Sequence, residues 1–162
     1  MSLIIATGSN IGNKEENLRN GKAALLKHFE IISESRIYKS QAVDYTNQPS
    51  FLNQVLEFKI PDLNADSIME QLIKIEVELG RKKTIDKGPR VIDLDILFIG
   101  LKKLKTPTLT VPHPRLFERS FVLLPLREIN FYTVLNKFFK FPDEIPPTAT
   151  PYDLTQITSG IL

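Results

Sequence analysis

The chain has 162 residues, 42% of them hydrophobic and 25% charged, which is the size and make-up of one globular domain. It has no Cys and only two His, His28 and His113, which excludes a disulfide framework, thiolate catalysis, Cys-ligated metals and a His-rich zinc centre. Its 21 Lys and Arg against 19 Asp and Glu leave a formal charge of +2, too little for nucleic-acid binding by bulk charge.

Met1 to Ala6 lacks the basic start of an export signal, and no apolar run approaches the ~20 residues that span a bilayer. A soluble, cytoplasmic protein with no membrane partner is expected. Leu3 to Ala6 reads as a buried strand, followed by turn chemistry over Thr7-Gly8-Ser9-Asn10-Ile11-Gly12. Asn13, with Glu16 three residues on, predicts a capped helix carrying Leu18, Leu25 and Phe29. Ile31 to Tyr38 reads as one strand, residues 40–50 as a loop, and Leu52 to Ile60 as another strand stopped by Pro61. Asn64 opens a second helix whose Ile68, Leu72, Ile75 and Leu79 form one apolar stripe, with Gly80 at its end. A basic loop leads to the strongest strand, Val91 to Phe98. Eight of the 11 Pro follow residue 106, so the C-terminal third should be loops and short helices. A single domain over 1–162 is expected, with a core of about 3–128 and a peripheral tail at 142–162. The order β-α-β-β-α-β is the α+β, ferredoxin-like split βαβ arrangement, a mainly antiparallel sheet with both helices on one face.

Asp93 and Asp95 lie at i and i+2 on the strongest strand, so they project from one face about 6.5–7 Å apart. Two carboxylates held together raise each other's pKa, and a divalent cation such as Mg²⁺ relieves that cost. A solvated strand face with Lys or Arg partners is the other reading of the same spacing. Arg81, Lys82, Lys83, Lys87 and Arg90 precede the pair, and Arg115 and Arg119 follow it. Cations beside carboxylates suit an anionic substrate bound through a metal, Arg by a bidentate fork and Lys as a point charge. His113, between Pro112 and Pro114, could donate to a phosphate oxygen or serve as a structural loop residue. His28 near the end of the first helix reads as a helix C-terminal residue. Phe51 and Phe121 could stack on a planar heterocycle, or be ordinary core. Asn53 shares a strand face with Phe51, and its amide can donate and accept at a heterocycle edge. The Gly8–Gly12 segment is neither a Walker A loop nor a dinucleotide fingerprint.

Gly88-Pro89-Arg90-Val91-Ile92-Asp93-Leu94-Asp95-Ile96-Leu97 resembles the signature of the 6-hydroxymethyl-7,8-dihydropterin pyrophosphokinase family. Ala6 to Gly12 with Asn17-Leu18, Gln48 to Asn53, Glu76 to Arg81, Leu109 to Arg115 and Arg119-Ser120-Phe121 extend the resemblance over roughly residues 3–128. The resemblance implies transfer of pyrophosphate from ATP to the hydroxymethyl group of a reduced pterin, with release of AMP, a step of folate biosynthesis. It implies two Mg²⁺ held by Asp93 and Asp95. It implies a pterin between Phe51 and Phe121, read by Asn53, with Ser40, Val43 and Asp95 also in contact. ATP would meet Glu76, Lys83, Arg90, Ile96, Thr110, His113 and Arg119, and Arg90 and Arg119 would steady developing charge.

One segment and two single residues depart from the family's habit. Ser40 to Tyr45 lacks the usual Pro- and Gly-bearing segment, Lys87 replaces an aromatic, and Lys83 stands where Arg is common. Altered affinity or loop kinetics is expected from these, with activity retained. Another Mg²⁺-dependent nucleotide phosphotransferase with a different acceptor is the alternative, separable by AMP or ADP as product. An RNA-binding split βαβ module would need exposed aromatics on a basic central face, where this chain carries Asp93 and Asp95. A monomer or weak dimer is expected.

Overall fold

The computed structural model describes residues 1–41, 49–80 and 91–152. Side chains alternate along a strand, and the alternation divides β1 (Ser2–Ser9) between two apolar clusters. Leu3 and Ile5 join one cluster and Ile4 the other, all three fully buried. β1 therefore lies inside the sheet, antiparallel to β4 (Phe51–Lys59) on one side and β5 (Asp93–Ile99) on the other. The strand runs to Ser9, so Thr7, Gly8 and Ser9 are paired on both sides or one side rather than turning. Turn chemistry begins at Asn10. Pairing on two flanks outweighs the local preference of Thr-Gly-Ser.

The first cluster is the floor for two helices. In α1 (Lys14–Leu26), the Asn13 side chain accepts the Glu16 N–H at 3.2 Å, the cap expected from the sequence. In α2 (Ala65–Glu78), Asn64 accepts the Ser67 N–H at 2.8 Å, and Ile68, Leu72 and Ile75 are buried in a row. Gly80 leaves the helix with φ +96, a conformation that favours glycine. Gly21 lets α1 close on the chain entering β5, since a Cβ there would stand 3.1 Å from Ile92 Cδ1.

Among the described residues the main sheet has six strands, in the order β5, β1, β4, β3 (Tyr38–Ser40) and β8 (Ala149–Pro151), with β2 (Ile31–Glu34) also on β4. The stretch expected as one strand is two, β2 (Ile31–Glu34) and β3 (Tyr38–Ser40), both along the same edge of β4. Ser35 fills the break. Its N–H reaches Val55 O at 2.9 Å, its Oγ accepts the Val55 N–H at 2.9 Å, and Gln54 Nε2 donates to its carbonyl at 2.7 Å. Between β1 and β5 the register slips: Ile4 opposes Phe98 and Ile5 opposes Ile96. The extra residue lets Leu97 and Phe98 both enter the second cluster.

That second face is covered by α3 (Ser120–Leu126) and α4 (Tyr132–Phe138), after a hairpin of β6 (Leu104–Lys105) and β7 (Thr110–Val111). Glu57, 2% exposed, ties this layer to the sheet by accepting from Ser2 Oγ and Ser33 Oγ at 2.7 Å and from the Phe131 N–H at 3.1 Å. The segment expected as a peripheral tail contains β8 (Ala149–Pro151), which pairs with β3. Among the described residues no helix is long and apolar enough to cross a membrane.

Candidate active site

Strand parity assembles one cavity on the second face. Asp93 and Asp95 point there from β5, Ala6 and Gly8 from β1, Phe51, Asn53 and Val55 from β4, and Ser40 from β3. The register sets them in rows: Asp93 opposes Gly8, which opposes Asn53, while Asp95 opposes Ala6, which opposes Val55. Adjacent strands lie about 4.8 Å apart, so the carboxylates and the Asn53 amide flank a strip of roughly 10 Å floored by small residues. His113, Arg119 and Phe121 close the cavity from the layer above. Its volume is about 830 Å³ including the open mouth.

Asn53 Nδ2 donates to Ser40 Oγ at 2.8 Å. The amide is thereby oriented, and its Oδ1 stands over Gly8, 3.2 Å from where a Cβ would be. An acceptor faces the cavity floor. His113 is fixed at both ends of its backbone and ring: its N–H donates to Leu97 O at 3.0 Å, and its Nδ1 accepts the Arg115 N–H at 3.3 Å. Nδ1 as acceptor places the proton of the neutral ring on Nε2. Burial holds this imidazole below its usual pKa; Arg119 and Arg115 push the same way and Asp93 opposes them. Arg119 lies over the Phe121 ring, its guanidinium carbon 5.7 Å from the ring centroid.

Of the residues singled out from the sequence, the cavity gathers Ser40, Phe51, Asn53, Asp93, Asp95, His113, Arg119 and Phe121. Glu76, Ile96 and Thr110 do not line it. Ile96 is core beneath the helices, 2% exposed, and Thr110 sits in the β6–β7 hairpin. Glu76 comes from α2 and accepts the Leu94 N–H, between the two aspartates, at 2.8 Å. Val43, Lys83, Lys87 and Arg90 lie outside the described residues. Among the described residues no group of three or more His, Asp or Glu gathers as a metal site. Two carboxylates facing an open cavity still suit a hard cation whose remaining ligands are substrate oxygens and water.

A family model for 7,8-dihydro-6-hydroxymethylpterin-pyrophosphokinase (HPPK) matches residues 4–131. The chain belongs to the HPPK family. It is 45% identical over 127 residues to the 2-amino-4-hydroxy-6-hydroxymethyldihydropteridine pyrophosphokinase of Bacillus subtilis, covering 77% of this chain and 75% of that protein. The namesake from Aquifex aeolicus is 37% identical, with 92% of each chain covered. The mitochondrial folate synthesis bifunctional protein of Arabidopsis thaliana is 39% identical over 128 residues, but this chain spans only 23% of it. The crystal structure of Plasmodium falciparum HPPK-DHPS, wild type with pteroate, shares the fold with a TM-score of 0.62 at 13% identity, covering 93% of this chain and 47% of that one.

This HPPK chain also places residues in the cavity that sequence reasoning passed over: Ala6, Gly8, Gln41, Val55 and Val122. The signal was present in Ala6-Thr7-Gly8, where small residues alternate on one face of a strand. The turn propensity of Thr7-Gly8-Ser9 masks it.

Proposed function

We propose that the chain transfers the pyrophosphoryl group of ATP to the hydroxymethyl group of 6-hydroxymethyl-7,8-dihydropterin, giving AMP and the pterin diphosphate, within folate biosynthesis. The observation that carries this reading is a cavity in which Asp93 and Asp95 face Phe51, Asn53 and Phe121 across the small-residue floor of Ala6 and Gly8. We further read 1–162 as one domain on a ferredoxin-like core; the strand order β5-β1-β4 with β2 and β3 beyond, and α1 and α2 on one face, supports it.

In this reading the pterin ring lies between Phe51 and Phe121. Asn53 Oδ1 accepts from a ring N–H, since the bond from Nδ2 to Ser40 turns that oxygen over Gly8, while the second N–H of the amide remains to donate. Asp93 and Asp95 would hold Mg²⁺, two ions by the family resemblance, which when bound neutralises triphosphate charge and acidifies the acceptor alcohol. His113 offers Nε2–H to a phosphate oxygen. Arg119, steadied on Phe121, meets charge that develops on the transferred group. Glu76, Ile96 and Thr110, with Lys83 and Arg90, would border the nucleotide. Phosphoryl transfer depends mainly on positioning and charge, so no protein nucleophile is required.

The test is incubation with ATP, Mg²⁺ and the hydroxymethyl dihydropterin, with chromatography of the nucleotides. AMP formed in step with pterin diphosphate is expected. ADP as the product, or AMP without dependence on the pterin, overturns the reading in favour of a phosphotransferase with another acceptor.

A further inference from the structure

Two walls of the cavity come from distant parts of the chain. β3 supplies Ser40, with Gln41 directly after it, and the start of α3 supplies Phe121 beside Arg119. Neither wall is long. β3 has three residues and α3 begins at Ser120 without a side-chain cap. Short elements of this kind hold position only when something else braces them.

One segment touches both. Ala149 pairs with Ser40, Thr150 with Lys39 and Pro151 with Tyr38, so β8 forms the outer support of β3. One residue earlier, the Thr148 hydroxyl is hydrogen-bonded to the hydroxyl of Ser120, the buried residue between Arg119 and Phe121. The Thr148 N–H is turned back onto Pro146 O at 2.9 Å. At the far end the Tyr152 N–H donates to Ile37 O at 2.8 Å, and its hydroxyl donates to Glu15 Oε1 on α1 at 2.8 Å. The family match ends at residue 131, so this segment is outside it.

We propose that residues 148–152 are a strap that sets the distance between the Ser40–Asn53 wall and the Phe121 wall, with Thr148 as its positioning residue. The proposal rests on the cavity being the pterin site. Thr148 touches neither substrate; its hydroxyl holds Ser120, and the next residue holds the strand whose Ser40 orients Asn53. Its loss widens the slot for the planar ring and leaves the nucleotide end alone.

The experiment compares wild type, Thr148→Val, Thr148→Ser, Ser120→Ala and the Ser120→Ala/Thr148→Val double variant by steady-state kinetics with each substrate varied in turn, and by amide hydrogen exchange of the unliganded protein. Losing one hydrogen bond of about 1 kcal/mol raises KM for the pterin roughly five-fold in Thr148→Val. KM for ATP and kcat stay at wild-type values, the melting temperature falls by about 2–4 °C, and Thr148→Ser restores both the pterin KM and the melting temperature. Ser120→Ala combined with Thr148→Val is no worse than either alone, since both remove one contact. Exchange at Ser40 and Phe121 quickens in Thr148→Val. An unchanged pterin KM, an equal rise for ATP, or a Thr148→Ser that behaves as Thr148→Val overturns the strap. Wild type that makes no AMP with this pterin instead overturns the functional reading; unchanged exchange at Ser40 and Phe121 overturns the strap by itself.

Discussion

Gly8 stands between Asp93 and Asn53 in one row of the sheet, and what it lacks shapes the site. A Cβ there would meet Asn53 Oδ1 at 3.2 Å and Phe51 Cδ1 at 3.7 Å. Gly8→Ala must therefore turn the Asn53 amide off its rotamer or away from Ser40. The cost is about 1 kcal/mol, which lowers pterin affinity roughly five-fold. Stability moves the other way, because glycine inside a strand is itself unfavourable. Calorimetric titration and thermal melting together check this: weaker pterin binding with an equal or higher melting temperature is the expected pair. Phe121→Ala is expected to weaken pterin binding far more than ATP binding in the same titration, by the loss of a stacked ring. Equal losses for both ligands would remove Phe121 from the stacking role. The paired residues were legible at this scale because a strand's period of two puts Phe51 with Asn53 and Asp93 with Asp95 on one face each. Gly8 was not, since Thr-Gly-Ser carries turn propensity and only pairing on both flanks overrides it.

At the scale of elements, the least legible feature is the broken edge formed by β2 and β3. Nothing in Ile31 to Ser40 marks Ser35 as the break; the cause is a side chain taking a backbone's place in the ladder. Ser35 Oγ accepts the Val55 N–H in a buried setting, so Ser35→Ala strands a donor without water. Such a loss costs about 1–3 kcal/mol, to be read as a lower urea midpoint with an unchanged slope. β8 escaped the sequence reading for a related reason: three residues ending in Pro151 carry no strand period, and the partner is at the other end of the chain. The same edge is fastened by charge. Arg36 Nη2 lies 2.8 Å from Glu128 Oε2, and the Tyr38 hydroxyl donates to the same carboxylate. Burial opposes the charge on Glu128, but the hydrogen bonds from Arg36 and Tyr38 outweigh it and hold the carboxyl below its usual pKa. A carboxyl lowered in the folded state stabilises the fold above its unfolded pKa, and that contribution vanishes as pH falls through the folded value. The melting temperature should thus drop with acidification below about pH 4.5, with part of the drop absent in Glu128→Gln. Parallel pH profiles for the two proteins would detach this cluster from acid stability.

Among the described residues the six-stranded sheet carries an apolar layer on each face, and the two layers bear differently on function. The α1 and α2 layer contributes no side chain to the cavity, whereas the chain entering and forming α3 contributes Arg119, Phe121 and Val122. Both layers nevertheless root in the same strands, since Leu3 and Ile5 face one and Ile4 the other. Glu57 binds the sheet to the second layer through Ser2, Ser33 and the Phe131 N–H. Shared strands make the layers one cooperative unit. Leu72 in α2 and Leu135 in α4 are each fully buried, and truncating either to Ala costs about 3 kcal/mol. Each variant is expected to unfold in one urea transition, with far-ultraviolet ellipticity, tyrosine emission and AMP-forming activity lost together at a lower midpoint. If the second layer were a separate unit, Leu135→Ala would lose activity at a urea concentration where the ellipticity of α1 and α2 persists, while Leu72→Ala would not separate the probes. Coincident curves in both variants mean that a cavity built on one face of the sheet depends for its stability on the core packed against the other.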